Sequence, residues 1–142
     1  MQLFLIAHVA GCPIAVPAIQ VDSVVDLGEI VPVPGSERSV RGLAALRSRV
    51  VTVIDTGVAL GLASTDLATR RAIITHADGH YYAVLVDALE DVAPFPRQPL
   101  GGVSLRHGWA TAGVALIERD GEPVLVIDLA CLLPGVQLAH AA

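Results

Sequence analysis

The 142-residue chain contains no lysine: its nine basic residues are all arginines, set against fourteen acids for a formal charge of −5. Without a basic excess there is no global field to hold nucleic acid or an anionic membrane, and both are excluded as expected partners. Cysteine is scarce as well. Cys12 and Cys131 lie far apart with no C-x-x-C spacing, which excludes a disulfide framework and a zinc ribbon and reads as two small buried apolar residues in a reducing cytoplasm. Aromatic residues make up only 4% and charged residues 16%, whereas 54% are apolar, so the chain cannot stay open in water and must build a core. Clean apolar runs of about 18 residues are missing, and no transmembrane helix is expected. The stretch Val9-Ala10-Gly11-Cys12 resembles the run before a lipidated cysteine. No Arg precedes it, however, and Pro13 and Pro17 interrupt the apolar segment that export requires, so a cytoplasmic chain is expected.

What the chain does have is an internal repeat. At a shift of 68 residues, Ile6-Ala7-His8-Val9-Ala10-Gly11 falls on Ile74-Thr75-His76-Ala77-Asp78-Gly79, and Val21-Asp22-x-Val24 on Leu89-Glu90-x-Val92. At 71, Gly42-Leu43-Ala44 meets Gly113-Val114-Ala115. At 73, Val51-x-Val53-Ile54-Asp55 meets Val124-x-Val126-Ile127-Asp128. Two copies are too few for a solenoid, so the units, near 2–62 and 70–133, should pack face to face or interlace within one domain over 1–135. Residues 136–142 read as a flexible tail.

Within each unit the signals are those of strands. Asp78-Gly79 and Asp120-Gly121 sit between apolar runs, a dipeptide that supplies positive φ to a tight hairpin. The runs at 50–54, 72–75, 83–86, 114–117 and 124–127 are short, rich in Val and Ile, and bounded by Gly, Pro or Asp, which favours strands over helices. With first-unit candidates near 2–9, 13–17, 19–26, 41–46 and 50–54, each unit has about five strands and should form a small barrel. Helical turns are expected at Thr56 to Leu62, around 64–69 and at Leu129 to Leu133. Ala93 to Thr111, with its prolines, glycines, Phe95 and Trp109, reads as the longest irregular segment, covering a barrel end.

One catalytic motif stands out. Asp55-Thr56-Gly57 at the end of an apolar strand resembles the loop of a dimeric retroviral-type aspartic protease, where two carboxylates share a proton across a two-fold axis. The late Ile-Gly-Arg or Ile-Gly-Asn element of those enzymes is missing, and Asp128 repeats Asp55 without the following Thr-Gly. An Asp capping a helical turn explains both positions. The protease therefore stands as the alternative reading, with no catalytic residue assigned. His76, Asp78 and His80 straddle a hairpin turn and do not converge as metal ligands. No phosphate loop or activated nucleophile is present, and neither cofactor nor metal is expected. Arg38, Arg41, Arg47 and Arg49, interleaved with Val40, Leu43 and Leu46, instead have the composition of a protein-binding patch, or of a solvated sheet edge.

This segment also carries a resemblance. Val40-Arg41-Gly42-Leu43-Ala44-Ala45-Leu46-Arg47-Ser48-Arg49-Val50-Val51-Thr52-Val53-Ile54-Asp55 resembles the signature of the CheW-like family of bacterial chemotaxis coupling proteins. Further matches are Ile14-Ala15-Val16-Pro17, Val21 to Val25, Ile30-Val31-Pro32-Val33-Pro34, Val86-Asp87-Ala88-Leu89-Glu90-Asp91-Val92 and Val126-Ile127-Asp128-Leu129. The resemblance implies a mostly β fold of two interlaced SH3-like five-stranded β-barrels. It also implies a non-enzymatic signalling adaptor between chemoreceptor cytoplasmic tips and the regulatory domain of a CheA-type histidine kinase, or a module of the same kind in another pathway. Carried over by position, the partner-binding residues are Val21, Ser23, Arg41, Gly42, Leu43, Leu46 and Arg47. Ser23 stands where the family usually has a Glu opposite the motif Arg, leaving Asp22 and Asp26 as the nearest replacements. Ala45, Ser48 and Thr56-Gly57 also depart from the pattern.

Overall fold

The computed structural model describes residues 1–134; the segment read as a tail lies outside them. The strands are β1 (Gln2–Val9), β2 (Cys12–Pro17), β3 (Ser23–Asp26), β4 (Val40–Leu46) and β5 (Arg49–Ile54), then β6 (Arg71–Ala77), β7 (His80–Leu85), β8 (Ala88–Phe95), β9 (Gly113–Arg119) and β10 (Glu122–Ile127). A one-turn helix α1 (Thr56–Ala59) follows β5, and α2 (His107–Ala112) leads into β9.

Hairpins β1–β2, β6–β7 and β9–β10 turn through Ala10-Gly11, Asp78-Gly79 and Asp120-Gly121, with φ of 52/77°, 51/79° and 53/81°. Positive φ at both central residues is the type I′ pattern that matches the twist of the flanking strands. The β4–β5 hairpin differs. There the first central residue, Arg47, has φ of 59° while Ser48 is not in the left-handed region.

The strands form two five-stranded sheets, ordered β8-β1-β2-β10-β9 and β3-β6-β7-β5-β4. Exchanging each strand of the first half with its counterpart in the second turns one order into the other. Each sheet thus takes two strands from one unit and three from the other, and the mostly β fold is two interlaced SH3-like barrels. The crossovers are also equivalent: β2 runs parallel to β10 with Ile14 beside Leu125, and β7 parallel to β5 with Tyr82 beside Thr52. Pairing moves one alignment, however. Val40 faces Ile54 and Gly113 faces Ile127, while Leu46 faces Arg49 and Arg119 faces Glu122, so β4 maps on β9 at a shift of 73 rather than 71.

Alternation along the strands builds three apolar layers. Phe4, Ile6, Ala15, Ile117 and Val126 fill one barrel. Val51, Val53, Ile74, Ala83 and Leu85 fill the other. Between them Leu5, Ala7, Ile14, Val16, Ile73, Tyr82 and Val84 form a shared core, closed by Leu60, Leu129, Leu132 and the half-buried Trp109. β1, β2, β6 and β7 are therefore buried on both faces, which is why their sequences run apolar without a polar alternation.

Several local expectations change. The run 19–26 divides into a 3-10 turn at Ala18–Gln20 and a four-residue strand, because Val21 and Asp22 carry the chain from one sheet to the other. Residues 64–69 form no helix; they wrap around Asp55. The segment 93–111 is less irregular than its prolines imply. β8 continues to Phe95, Gln98 bridges to Leu116, and α2 occupies 107–112. Gly108 permits that helix, since a Cβ there would lie 2.3 Å from the Leu60 carbonyl. Cys12 is exposed rather than buried, being the first residue after the β1–β2 turn.

Candidate functional site

Pairing of β4 with β5 sets Arg41 near Asp55, and the two form the most buried ion pair among the described residues. Arg41 Nη2 donates to Asp55 Oδ2 at 2.7 Å, with side chains 11% and 6% exposed. The same guanidinium donates to the carbonyls of Thr65 and Asp66 at 2.5 and 3.1 Å. Asp55 Oδ1 accepts from the N–H of Val58 at 3.2 Å, which caps α1, and from the N–H and hydroxyl of Thr65, both at 2.9 Å. Burial alone would push the carboxyl up. The Thr65 and Val58 amides, the Thr65 hydroxyl and Arg41 outweigh it and hold the pKa below its ordinary value.

The remaining residues of the motif are equally committed. Thr56 donates its hydroxyl to the Leu85 carbonyl at 2.5 Å, and a Cβ on Gly57 would fall 2.1 Å from the Ala63 carbonyl. Asp-Thr-Gly here is a helix cap, a buried hydroxyl and a close backbone approach. An ion-paired Asp55 with its oxygens occupied cannot form a shared-proton dyad, so the aspartic-protease alternative is discarded. Asp128 repeats the cap without the arginine: it accepts from Ala130 N–H at 3.0 Å and from Gln20 Nε2 at 2.8 Å.

The residues assigned to partner binding separate into four places. Arg41 and Gly42 face inward. Gly42 is buried, and a Cβ on it would lie 2.3 Å from the Val31 carbonyl; next to it Leu43 N–H donates to the Val31 carbonyl and Val31 N–H to the Leu43 carbonyl, both at 2.8 Å. Leu43 is 37% exposed and lines a shallow groove of about 380 Å³ with Glu29, Val31, Ala45 and Val50. Val31 and Val50, more exposed at 56% and 62%, escaped the sequence reading because exposure of a lone Val cannot be read from pattern. Ser23, Leu46 and Arg47 meet in a cleft of about 220 Å³ with Asp22, Val25, Ser48, Arg49 and Ile74, although Leu46 also packs on the barrel core. Val21 lines a neighbouring depression of about 500 Å³ with Ile19, Gln20, Asp22, Thr75, His76 and Leu133.

Arg47 is exposed and makes no hydrogen bond or ion pair with the described residues. Arg49 lies 3.9 Å over the Tyr81 ring, which also contacts the ring of His76. Of the two candidate carboxylates, Asp26 is taken by Arg71 at 2.6 Å, and Asp22 makes no side-chain bond. This cleft lies on the seam between edge strands β3 and β4. Its counterpart in the other barrel, the β8/β9 seam, is bridged: Glu90 accepts from Arg119 at 3.0 Å and pairs with His8 Nε2 at 2.5 Å. Hydrogen bonding from Arg119, then from His8, lowers the Glu90 pKa. Sequence reading missed this triad, whose members are 82 and 29 residues apart and meet only where β8 pairs with β1 and lies beside β9.

A family model described as CheW-like domain matches residues 3–137. The chain belongs to the CheW-like family. Its relatives are distant. The chemotaxis protein CheW of Thermotoga maritima is 22% identical over 109 residues, covering 77% of this chain and 72% of that protein. The crystal structure of the scaffolding protein TtCheW from Thermoanaerobacter tengcongensis superposes with a TM-score of 0.81, at 20% identity, over 94% of this chain and 92% of that one, a likeness of fold. Within this CheW-like chain no described helix is long and apolar enough to cross a membrane, and no three described His, Cys, Asp or Glu residues are grouped as metal ligands. Its described surface offers clefts and an apolar groove.

Proposed function

We propose that this CheW-like chain is a cytoplasmic, non-enzymatic adaptor of a bacterial chemosensory pathway, coupling a chemoreceptor's cytoplasmic tip to the regulatory domain of a CheA-type histidine kinase. Its contacts centre on the β3/β4 side of one barrel, with no cofactor. The observation that carries this reading is the combination of a CheW-like match over 3–137 with an unpaired Arg47 and an exposed Leu43 on the signature hairpin. Arg41 and Gly42 serve the same surface indirectly, by fixing β4 against Asp55 and Val31. Val21 and Ser23 contribute from the segment that passes between sheets, and Leu46 forms the cleft floor.

Affinity for the receptor tip and for the kinase regulatory domain, measured by titration calorimetry, tests the proposal. Leu43→Ala or Arg47→Ala should cost about 2 kcal/mol with at least one partner, as anchors at an interface centre do. Arg97→Ala, in an exposed loop, should cost about 0–1 kcal/mol. Equal small losses at all three positions, in folded variants, would reduce the patch to a solvated edge.

A further inference from the structure

Another depression lies on the barrel of the first sheet, lined by none of the residues assigned to partner binding. Its volume is about 370 Å³, at the small end of the range of about 300–1,000 Å³ typical of small-molecule sites. One wall is the middle of that sheet, where β2 and β10 run parallel with Ile14 beside Leu125. The facing wall is the stretch from Ser104 to Trp109 that leads through α2 into β9. The two walls meet over Gly113, where a Cβ would stand 2.8 Å from Leu105 Cδ1 and 2.9 Å from Leu125 Cδ2.

The lining is of two kinds. Ile14, Leu105, Leu125, Pro13 and Pro123 present aliphatic carbon, and Trp109, the chain's one tryptophan, adds an indole half-buried against the shared core. Arg106 is the one charged residue of the lining, and no acid stands with it. It is exposed and makes no hydrogen bond or ion pair with the described residues, and the Ser104 hydroxyl is equally unpaired. An apolar slot with an indole face and one uncommitted cation is complementary to an amphipathic anion. Rings gain from burial against the indole, and a carboxylate matches the forked donors of a guanidinium.

We infer that this depression binds a small aromatic carboxylate, its ring held between Trp109 and the wall of Ile14 and Leu125, its carboxylate held by Arg106 and Ser104. Arg106 loses no internal bond on making that contact. A neutral aromatic molecule would leave the guanidinium without its acceptor, and an aliphatic acid would lose the contact with the indole face, so both parts of the ligand are recognised. A molecule seated here leaves Leu43 and Arg47 uncovered, and its binding does not depend on the adaptor reading.

The probe is 2-naphthoate, titrated into the full chain while the single indole N–H resonance, that of Trp109, is followed by NMR. It should move that resonance and slow iodoacetamide alkylation of Cys12, which is exposed on the pocket wall, while alkylation of Cys131 is unchanged. 2-Naphthamide and octanoate should each bind about tenfold more weakly or worse. Arg106→Gln should weaken 2-naphthoate about tenfold and leave 2-naphthamide unaffected, which also shows the variant to be folded. Arg106→Lys should recover part of the loss, and Arg97→Gln, an arginine outside the lining, should stay within about twofold of the wild type. An indole resonance unmoved by millimolar 2-naphthoate would overturn the proposal. So would equal affinity for acid and amide, octanoate binding as tightly as 2-naphthoate, or full affinity in Arg106→Gln.

Discussion

At the β8/β9 seam Glu90 binds both His8 and Arg119, whereas at the equivalent β3/β4 seam the carboxylate of Asp22 binds neither His76 nor Arg47. The two seams are made of corresponding strands in corresponding order, so the difference cannot come from topology. It comes from the side chains and from a register shift of β8 at Glu90-Asp91 that β3 lacks, and it shows how a duplicated fold can differentiate: one copy closes its edge with an internal ion triad, the other leaves an arginine and a cleft unfilled. The same contrast appears at the strand ends. Both Asp55 and Asp128 cap a helical turn, but only Asp55 is also bound to an arginine and to Thr65.

The largest effect should come from breaking that second contrast. Asp55→Ala leaves Arg41 buried and unpaired and should destabilise by about 3–5 kcal/mol. Asp128→Ala removes a cap alone and should cost about 1 kcal/mol. Chemical denaturation of the two variants side by side measures the gap. The same pair sets a pH response. Because the folded Asp55 pKa lies below its unfolded value, its contribution is complete above the unfolded pKa of about 4 and is lost as pH falls through the folded pKa. The wild type should therefore lose stability more steeply below about pH 4 than Asp55→Asn. Glu90, shifted in the same direction, acts in the same acid window at the exposed seam.

Next in size, Gly42→Ala should cost about 1–3 kcal/mol by forcing β4 away from the Val31 carbonyl. Its counterpart on the corrected register is already an alanine, Ala115, so the tight approach is particular to the half that carries the proposed binding face. Smaller still, Arg47→Gly should stabilise by about 1 kcal/mol, since a side chain at φ of 59° is strained and glycine is not. Asp120→Gly, at the equivalent turn, should gain less, because Asp tolerates that region. A variant that folds better and binds worse would mark Arg47 as kept for its partner rather than for the fold.

The two-unit fold was legible because its signals are local. Asp-Gly turns and runs such as Ile73-Ile74 or Val124 to Ile127 register in a few residues what the sheets then pair. The 71-residue alignment of Gly42 with Gly113 failed for a physical reason: glycine identity suggested equivalence, but Gly42 answers to the Val31 carbonyl and Gly113 to Trp109 and Leu125. Helix α2 was hidden by the prolines and glycines that precede it and by its own Gly108, since the contact that needs Gly108 is with Leu60, far away in sequence. Arg41 was grouped with the surface arginines because neither its spacing nor its neighbours disclose the hairpin register that brings it to Asp55. Arg47, Leu43 and Ser23 are exposed; the triad at the other seam was not legible because its three residues come from β1, β8 and β9.

The proposed binding face is tested most directly by ¹⁵N chemical-shift mapping on addition of the chemoreceptor tip hairpin, which reads both seams at once. The largest changes should fall on Ser23, Leu46, Arg47 and Arg49, with His8, Glu90 and Arg119 little affected. Changes centred on His8, Glu90 and Arg119, or spread evenly over both barrels, would contradict it.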